Sequence, residues 1–312
     1  MKKILLAIDP LEADLKPSHE ALKDLGFWLE NLDAEIEAVY VLSDLRADLR
    51  VDQSFLLATQ ALRSAIKKFH FKTPIESQVL LNHSTSRRKA VRELLDHAED
   101  TGAELLVVTS HGRSGMSRLF LGSFAEALLA DSPIPVLFLG THPQKQAQLN
   151  KMIFVTDFSR PSWLAFQSFL DQVSPLDPEV VLFHSMPAFP SPFHYGIIGM
   201  GAYFVPEADL ERQQRLWERE NKKWLAYAKT RGIRIKAIQL EDPKGILHGI
   251  NETARKEKAA LIGISTCVEG KIAEELFRSQ KFGVWIYGPT ALEKTNPRKI
   301  KKFDTQLSRQ PR

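Results

Sequence analysis

Residues 105–138 read LLVVTSHGRSGMSRLFLGSFAEALLADSPIPVLF, and this stretch decides the fold. Leu105–Val108 is an apolar run bounded by small and turn-forming residues, the pattern of a strand buried on both faces of a parallel sheet. A loop from Thr109 to Leu121 ends at Gly122-Ser123, directly before Phe124, Ala125, Leu128 and Leu129, whose helical spacing gives an apolar stripe. A second apolar run occupies Ile134–Leu139, with Pro133 and Pro135 at its start. The order is strand, glycine-bearing loop, helix, strand. A helix opening on Gly-Ser points its first N–H groups outward, and Gly122 has no side chain to keep a phosphate away from them. The same pair also caps helices with no ligand present, so the anion reading stands beside a purely structural one.

Working back from this stretch, the first half alternates strands with helices. Ile4–Ile8 is a short apolar run ending at Asp9-Pro10, and 18–32 carries Leu22, Leu25, Phe27, Trp28 and Leu29 at helical spacing. Ile36–Leu42 reads as the second strand, Phe55–Phe69 as a helix, Ile75–Leu81 as the third strand and Arg87–Glu99 as a helix ending near Gly102. Such an order requires right-handed crossovers and a parallel sheet covered on both faces. Ligands of such sheets lie outside the carboxyl ends of the strands, where Asp9, Val41 and the Thr109 loop fall.

Working forward, the pattern restarts. Residues 152–159, MIFVTDFS, repeat the first strand and its aspartate, and Glu179–Ser185 answers Glu37–Ser43. Ile233–Leu240 repeats the third strand, 258–264 repeats 102–108, and Val284–Tyr287 answers Val136–Leu139. The chain is a tandem duplication joined near residues 141–150, THPQKQAQLN, which are polar and lack an apolar period. The expected organisation is α/β: a first domain over 1–141, a second over 150–288 and a basic flexible tail over 289–312. Each domain is expected to hold a five-stranded parallel sheet with helices on both faces.

The second copy departs from the first in two places. After Ile264 only a short loop, Ser265 to Gly270, separates the strand from the expected helix at Ile272–Ser279. That is too short to wrap a triphosphate, and Glu269 would set a negative charge near any phosphate. Lys271 has the choice of holding a single anion or being a solvated helix start. The second departure is an insertion over 186–206, MPAFPSPFHYGIIGMGAYFVP, rich in Phe, Tyr, Ile and Met. Segments of this kind fold back on their own domain, pack between subunits or wall an apolar ligand. The helix expected from Glu207 to Thr230 is an ordinary amphipathic one.

Composition narrows the chemistry. The 312 residues are 44% hydrophobic, enough for two cores, and a single cysteine, Cys267, rules out an internal disulfide framework. The opening MKKILLAID reaches Asp9 after an apolar stretch too short for a signal peptide or a membrane span, so a cytoplasmic setting is expected. The formal charge is +4, but seven basic residues against Asp304 lie from Lys294 onward, which leaves the folded body near neutral and without a broad nucleic-acid footprint. Nine histidines occur without paired ligand spacing, and CxxC, HExxH, GxSxG and the Walker GxxxxGK[ST] are absent. No catalytic residue and no metal site is expected. His111 is within reach of a phosphate, and Asp9 and Asp157 at first-strand ends fit either a ribose hydroxyl, a metal-bridged phosphate or a simple turn and cap role.

Gly112, nine intervening residues, Gly122 and Ser123 resemble the nucleotide loop of the universal stress protein family, whose pattern is Gly, two residues, Gly, nine residues, Gly, then Ser or Thr. Thr109 stands where the family has its first glycine. The chain resembles a tandem member up to about Gly288. The resemblance implies two Rossmann-like domains, a cytoplasmic stress-response regulator, and ATP or a related nucleotide, with Mg2+ alongside it, in the first domain. By position, adenine would meet Asp9 and Val41, and the phosphates Thr109, Gly112, Gly122, Ser123 and the backbone of Phe124. The resemblance also implies dimers formed through the last strand, so that in a tandem chain Val136–Leu139 and Val284–Tyr287 lie side by side as an internal pseudo-dimer within a homo-oligomer. Turnover is limited to slow ATP hydrolysis. Alternatives are a nucleotide-independent scaffold or a carrier of an apolar, lipid-like ligand through the second domain, and an enzyme related to the adenine-nucleotide hydrolases of this fold group.

Overall fold

The computed structural model describes residues 3–10, 26, 28, 31–32, 34–43, 51–68, 74–109, 123–140, 147–186, 207–242, 244–279 and 281–295. In the first half β1 (Lys3–Ala7), β2 (Glu35–Ser43), β3 (Ile75–Asn82), β4 (Leu105–Thr109) and β5 (Val136–Leu139) alternate with α1 (Val51–Lys68), α2 (Arg87–Asp100) and α3 (Ser123–Asp131). Residues 26, 28, 31 and 32 are also helical. The helix starts follow their sequence signals. Ser86 caps α2 by accepting from the Lys89 amide at 3.4 Å, and α3 opens at Ser123 directly after Gly122.

The second half repeats this with β6 (Gln148–Val155), β7 (Glu179–Met186), β8 (Arg234–Glu241), β9 (Ala259–Ser265) and β10 (Gly283–Tyr287). Its helices are α4 (Arg160–Val173), α5 (Glu207–Lys229), α6 (Ile246–Glu257), α7 (Thr266–Ser279) and α8 (Pro289–Thr295). Strand pairing is parallel within each half. Between the halves it is antiparallel, with Val284 opposite Phe138, Trp285 opposite Leu137 and Ile286 opposite Val136. The described strands therefore form one sheet in the order β3-β2-β1-β4-β5-β10-β9-β6-β7-β8.

The expected side-by-side placement of β5 and β10 is present, and through it the five parallel strands of each half join into one ten-stranded sheet rather than two discrete ones. Both strands are short, apolar and wholly buried, and pairing them removes two edges that would otherwise expose unpaired N–H and C=O groups. Side chains reinforce the joint. Trp28 Nε1 donates to the Leu149 carbonyl at 2.8 Å, Gln172 Nε2 to the Glu104 carbonyl at 3.4 Å, and the buried Tyr287 hydroxyl to Gln172 Oε1 at 2.6 Å.

Alternation along each strand divides the core into two layers. Ile4, Leu6, Phe154, Trp285 and Tyr287 face one side with Trp28, Phe166, Trp224 and Leu292. Leu5, Ile153, Val284 and Ile286 face the other, with Leu94, Leu128, Ile250 and Leu276. Each layer runs through both halves of the chain.

Three boundaries differ from the sequence reading. β6 begins at Gln148, inside the segment read as the joint, because the Gln148 amide bonds to the Lys258 carbonyl at 2.8 Å. The tail read as flexible from residue 289 opens with α8, whose Ala291 and Leu292 are buried against the core. Helix α7 starts at Thr266, immediately after β9, so Gly270-Lys271 lies within a helix and not at its start.

Polar chemistry inside the first half is concentrated at Glu37 on β2. Its carboxylate takes Lys3 Nζ at 2.7 Å and His97 Nε2 at 2.9 Å and is only 4% exposed. Burial pushes the Glu37 carboxyl up, but the hydrogen bonds and charges of Lys3 and His97 outweigh this and hold it below the ordinary glutamate value. A carboxyl depressed in the folded state contributes stability that is present above its unfolded pKa and lost as pH falls toward the folded one. Glu37→Gln is expected to cost about 2 kcal/mol at neutral pH. It should also flatten the acid limb of a stability-versus-pH curve measured by urea unfolding. An unchanged acid limb would show that the cluster contributes nothing.

Candidate functional site at the carboxyl edge of the first half

The first half has the strand order β3-β2-β1-β4-β5, so the chain reverses direction between β1 and β4. The crevice outside the carboxyl ends at such a switch point is where doubly wound sheets bind ligands. Asp9 follows β1 and Thr109 ends β4. The register of Ala7 with Val39 and with Val108, extended past the ladder, sets Asp9 level with Val41 and Ile8 level with Thr109. The Ile8 amide still bonds to the Val39 carbonyl at 3.0 Å, so the chain leaves the sheet only at Asp9. Three of the expected site residues thus converge from three adjacent strands.

The neighbour that sequence reasoning missed is Tyr40. Burial pushes the Tyr40 phenol up to about 12, and the Asp9 carboxylate adds to the rise. The phenol therefore remains protonated at neutral pH, and a hydroxyl and a carboxylate stand together at the mouth of the crevice. The signal was a tyrosine one residue before the expected contact Val41, the one aromatic residue of β2.

Across the switch point, α3 brings Ser123 and Phe124 to the same edge. Phe124 is half-buried against the second core layer, next to the buried Ala125 and Leu128, which fixes the helix with its N-terminal end at the crevice. Gly112, Gly122 and His111 lie outside the described residues, as do the side chains of Thr109 and Ser123.

The corresponding edge of the second half is built differently. β9 passes into α7 with no residue between them, which leaves no loop to surround phosphates. Asp157, the counterpart of Asp9, spends one carboxylate oxygen on its own turn: Oδ1 accepts from the Ser159 amide at 2.9 Å and from Ser162 Oγ at 2.6 Å. Ser159 in turn caps α4. The turn and cap role is thus the one present at Asp157. The insertion over 186–206 lies outside the described residues apart from Met186, which ends β7.

Among the described residues no group of three or more His, Cys, Asp and Glu side chains is arranged to hold a metal ion. No helix among them is long and apolar enough to cross a membrane.

The profile of the universal stress protein family matches residues 1–139. In sequence, this first part of the chain is similar to the universal stress protein family. A family member from Methanocaldococcus jannaschii is 27% identical over 150 residues, which is 46% of this chain and 85% of the relative. The universal stress protein YxiE of Bacillus subtilis is 29% identical over 147 residues, 44% of this chain and 97% of the relative. Each relative corresponds to about half of the chain. Over the whole length the chain is similar in fold to a universal stress protein of Archaeoglobus fulgidus, with a TM-score of 0.60, 18% identity and coverage of 92% of this chain and 96% of that one. A Pseudomonas aeruginosa protein of unknown function covers 99% of this chain and 97% of its own, with a TM-score of 0.56 and 12% identity. Similarity in sequence covers the first half, and likeness of fold extends over both.

Proposed function

We propose that this chain is a universal stress protein that binds ATP or a related adenine nucleotide in its first half, as a cytoplasmic regulator rather than a catalyst of rapid turnover. The observation that carries the reading is the contrast between the two strand-to-helix passages. Thirteen residues, 110–122, separate β4 from α3, whereas β9 enters α7 directly. The residues of the first half fit a nucleotide. The first turn of α3, which opens at Ser123, has backbone N–H groups to offer a phosphate, and Thr109, Gly112 and Gly122 are assigned to the same group by their position in the sequence. Asp9 and Tyr40 offer an acceptor and a hydroxyl to a base or ribose, and Val41 an apolar contact. Mg2+ would arrive with the phosphates. Turnover in this reading is at most slow ATP hydrolysis.

Gly122→Val sets a branched side chain on the phosphate approach. It is expected to weaken ATP binding by about 30-fold, the equivalent of one lost charge-assisted hydrogen bond. Gly270→Ala, inside α7, is expected to leave the affinity unchanged. Equal affinities for Gly122→Val and the wild type in a fluorescence-anisotropy titration would overturn the assignment.

A further inference from the structure

The two outer edges of the sheet are finished differently. Among the described residues β3 pairs with β2 alone and β8 with β7 alone, so each has a row of backbone N–H and C=O groups left for a further strand. At the β8 edge Arg234, Lys236 and Glu241 break up the strand with charge, and Arg234 and Lys236 are held in ion pairs with Asp177 at 3.1 Å and Glu257 at 2.6 Å. β3, IESQVLLN, carries Glu76 and no other charge. Charges on an edge strand deter pairing with another chain, and β3 lacks that protection.

The helices flanking β3 point the same way. α1 packs on β2 and β3 from one face of the sheet and α2 from the other. Phe55, Leu56 and Leu57, three of the four exposed large apolar side chains among the described residues, lie within one turn of α1, with Leu56 57% and Leu57 63% exposed. α2 is charged against its own dipole: Arg88, Lys89 and Arg92 are exposed in its first half, and Asp96, Glu99 and Asp100 in its second. Cations near a helix N-terminus and carboxylates near its C-terminus both oppose the macrodipole. The counterpart helix of the second half, α6, has the ordinary sense, with Arg255 and Lys256 in its last turn. The reversed order in α2 is therefore no demand of the fold, and it is self-complementary toward a second copy of the same helix running the opposite way.

We propose that β3 pairs antiparallel with β3 of a second copy of this chain, about a two-fold axis perpendicular to the sheet. The axis sets α1 beside the α1 of the other copy, which takes Leu56 and Leu57 out of water, and sets the two α2 helices antiparallel, basic half against acidic half twice over. The internal joint of β5 with β10 is the same kind of contact, two parallel sheets meeting through an antiparallel pair. The two-fold makes the contact isologous and closed, and the charged β8 edge offers no second site for growth. The crevice at β1 and β4 lies two strands in from this edge, so the proposal and the nucleotide reading fail independently.

The test is sedimentation equilibrium on the full chain. At about 50 µM the wild type is expected at twice the 35.3 kDa chain mass. Leu56→Asp combined with Leu57→Asp, and separately Gln78→Lys at an exposed position of β3, should each raise the dimer dissociation constant about 30-fold. Charge reversal gives the sharper result. Arg88→Glu with Arg92→Glu makes α2 predominantly acidic, Asp96→Arg with Glu99→Arg makes it predominantly basic, and each double variant alone is expected to be monomeric. Mixed in equal amounts they should form a heterodimer at twice the chain mass, a rescue that misfolding of either could not produce. If a reversal variant does not fold, Gln78→Lys and the Leu56→Asp, Leu57→Asp pair decide. A wild type that stays monomeric at about 50 µM, which would leave the edge to an extended segment of another protein, would overturn the proposal. So would a dimer of undiminished affinity in Gln78→Lys, or a mixture of the two folded reversal variants that stays monomeric.

Discussion

Gly263→Val is expected to destabilise the protein by about 3 kcal/mol, lowering the melting temperature by about 10 °C. Gly263 lies on β9 opposite Phe154 of β6, and a Cβ there would sit 2.9 Å from Phe154 Cδ2 and 3.0 Å from the Phe169 ring. Neither ring has room to retreat. Phe154 is held edge-on by Phe166 at 5.1 Å, and Phe169 by Trp285 at 5.9 Å. The first half shows the alternative solution at the same register, where Leu6 faces Val107. Combining Gly263→Val with Phe154→Leu should therefore recover most of the loss. A single variant melting within a degree or two of wild type would show that the aromatic layer is looser than these distances imply.

Truncation after Gly288 is expected to cost about 3 kcal/mol, chiefly the burial of Leu292 and Ala291 and the cover they give the layer containing Tyr287. Thr290 Oγ1 also reaches the Ala130 carbonyl at 3.4 Å, so α8 binds the second half back onto α3 of the first. Truncation after Thr295 removes a segment that is basic and poor in apolar residues, and should change the melting temperature by less than about 2 °C. Equal melting of the two truncations would place α8 outside the cooperative unit.

That tail also shows where sequence reading stops. Composition alone marked 289–312 as unable to support its own burial, and that holds for a segment considered by itself. Ala291 and Leu292 are buried because α3 and α4 already present a surface for two apolar residues one turn beyond Gly288, which no local pattern in 289–295 records. The strand runs were legible because a parallel sheet covered on both faces demands unbroken apolar stretches, and Leu105–Val108 and Leu261–Ile264 provide them. The union of the two sheets was only half legible. The last strands were expected to pair, yet the continuity of each core layer through both halves depends on the register at Trp285 and Leu137.

At the candidate site, position along the strands was readable and side-chain environment was not. Asp9 and Asp157 look alike in sequence, each following a short apolar run. They part in the structure because Ser159 and Ser162 stand within reach of Asp157 and cap α4 with it. Tyr40 escaped notice because its relation to Asp9 arises from packing between neighbouring strands. The direct passage from β9 to α7 was read as a short loop, since Gly270 resembles a helix breaker and the helix runs through it.

The central claim is that nucleotide binding belongs to the first half alone, and calorimetric titration of ATP with Mg2+ into the full chain tests it most directly. The account predicts a stoichiometry of one nucleotide per chain, with the affinity weakened about 30-fold by Gly122→Val. Two nucleotides per chain, or one that persists undiminished in Gly122→Val, would contradict it.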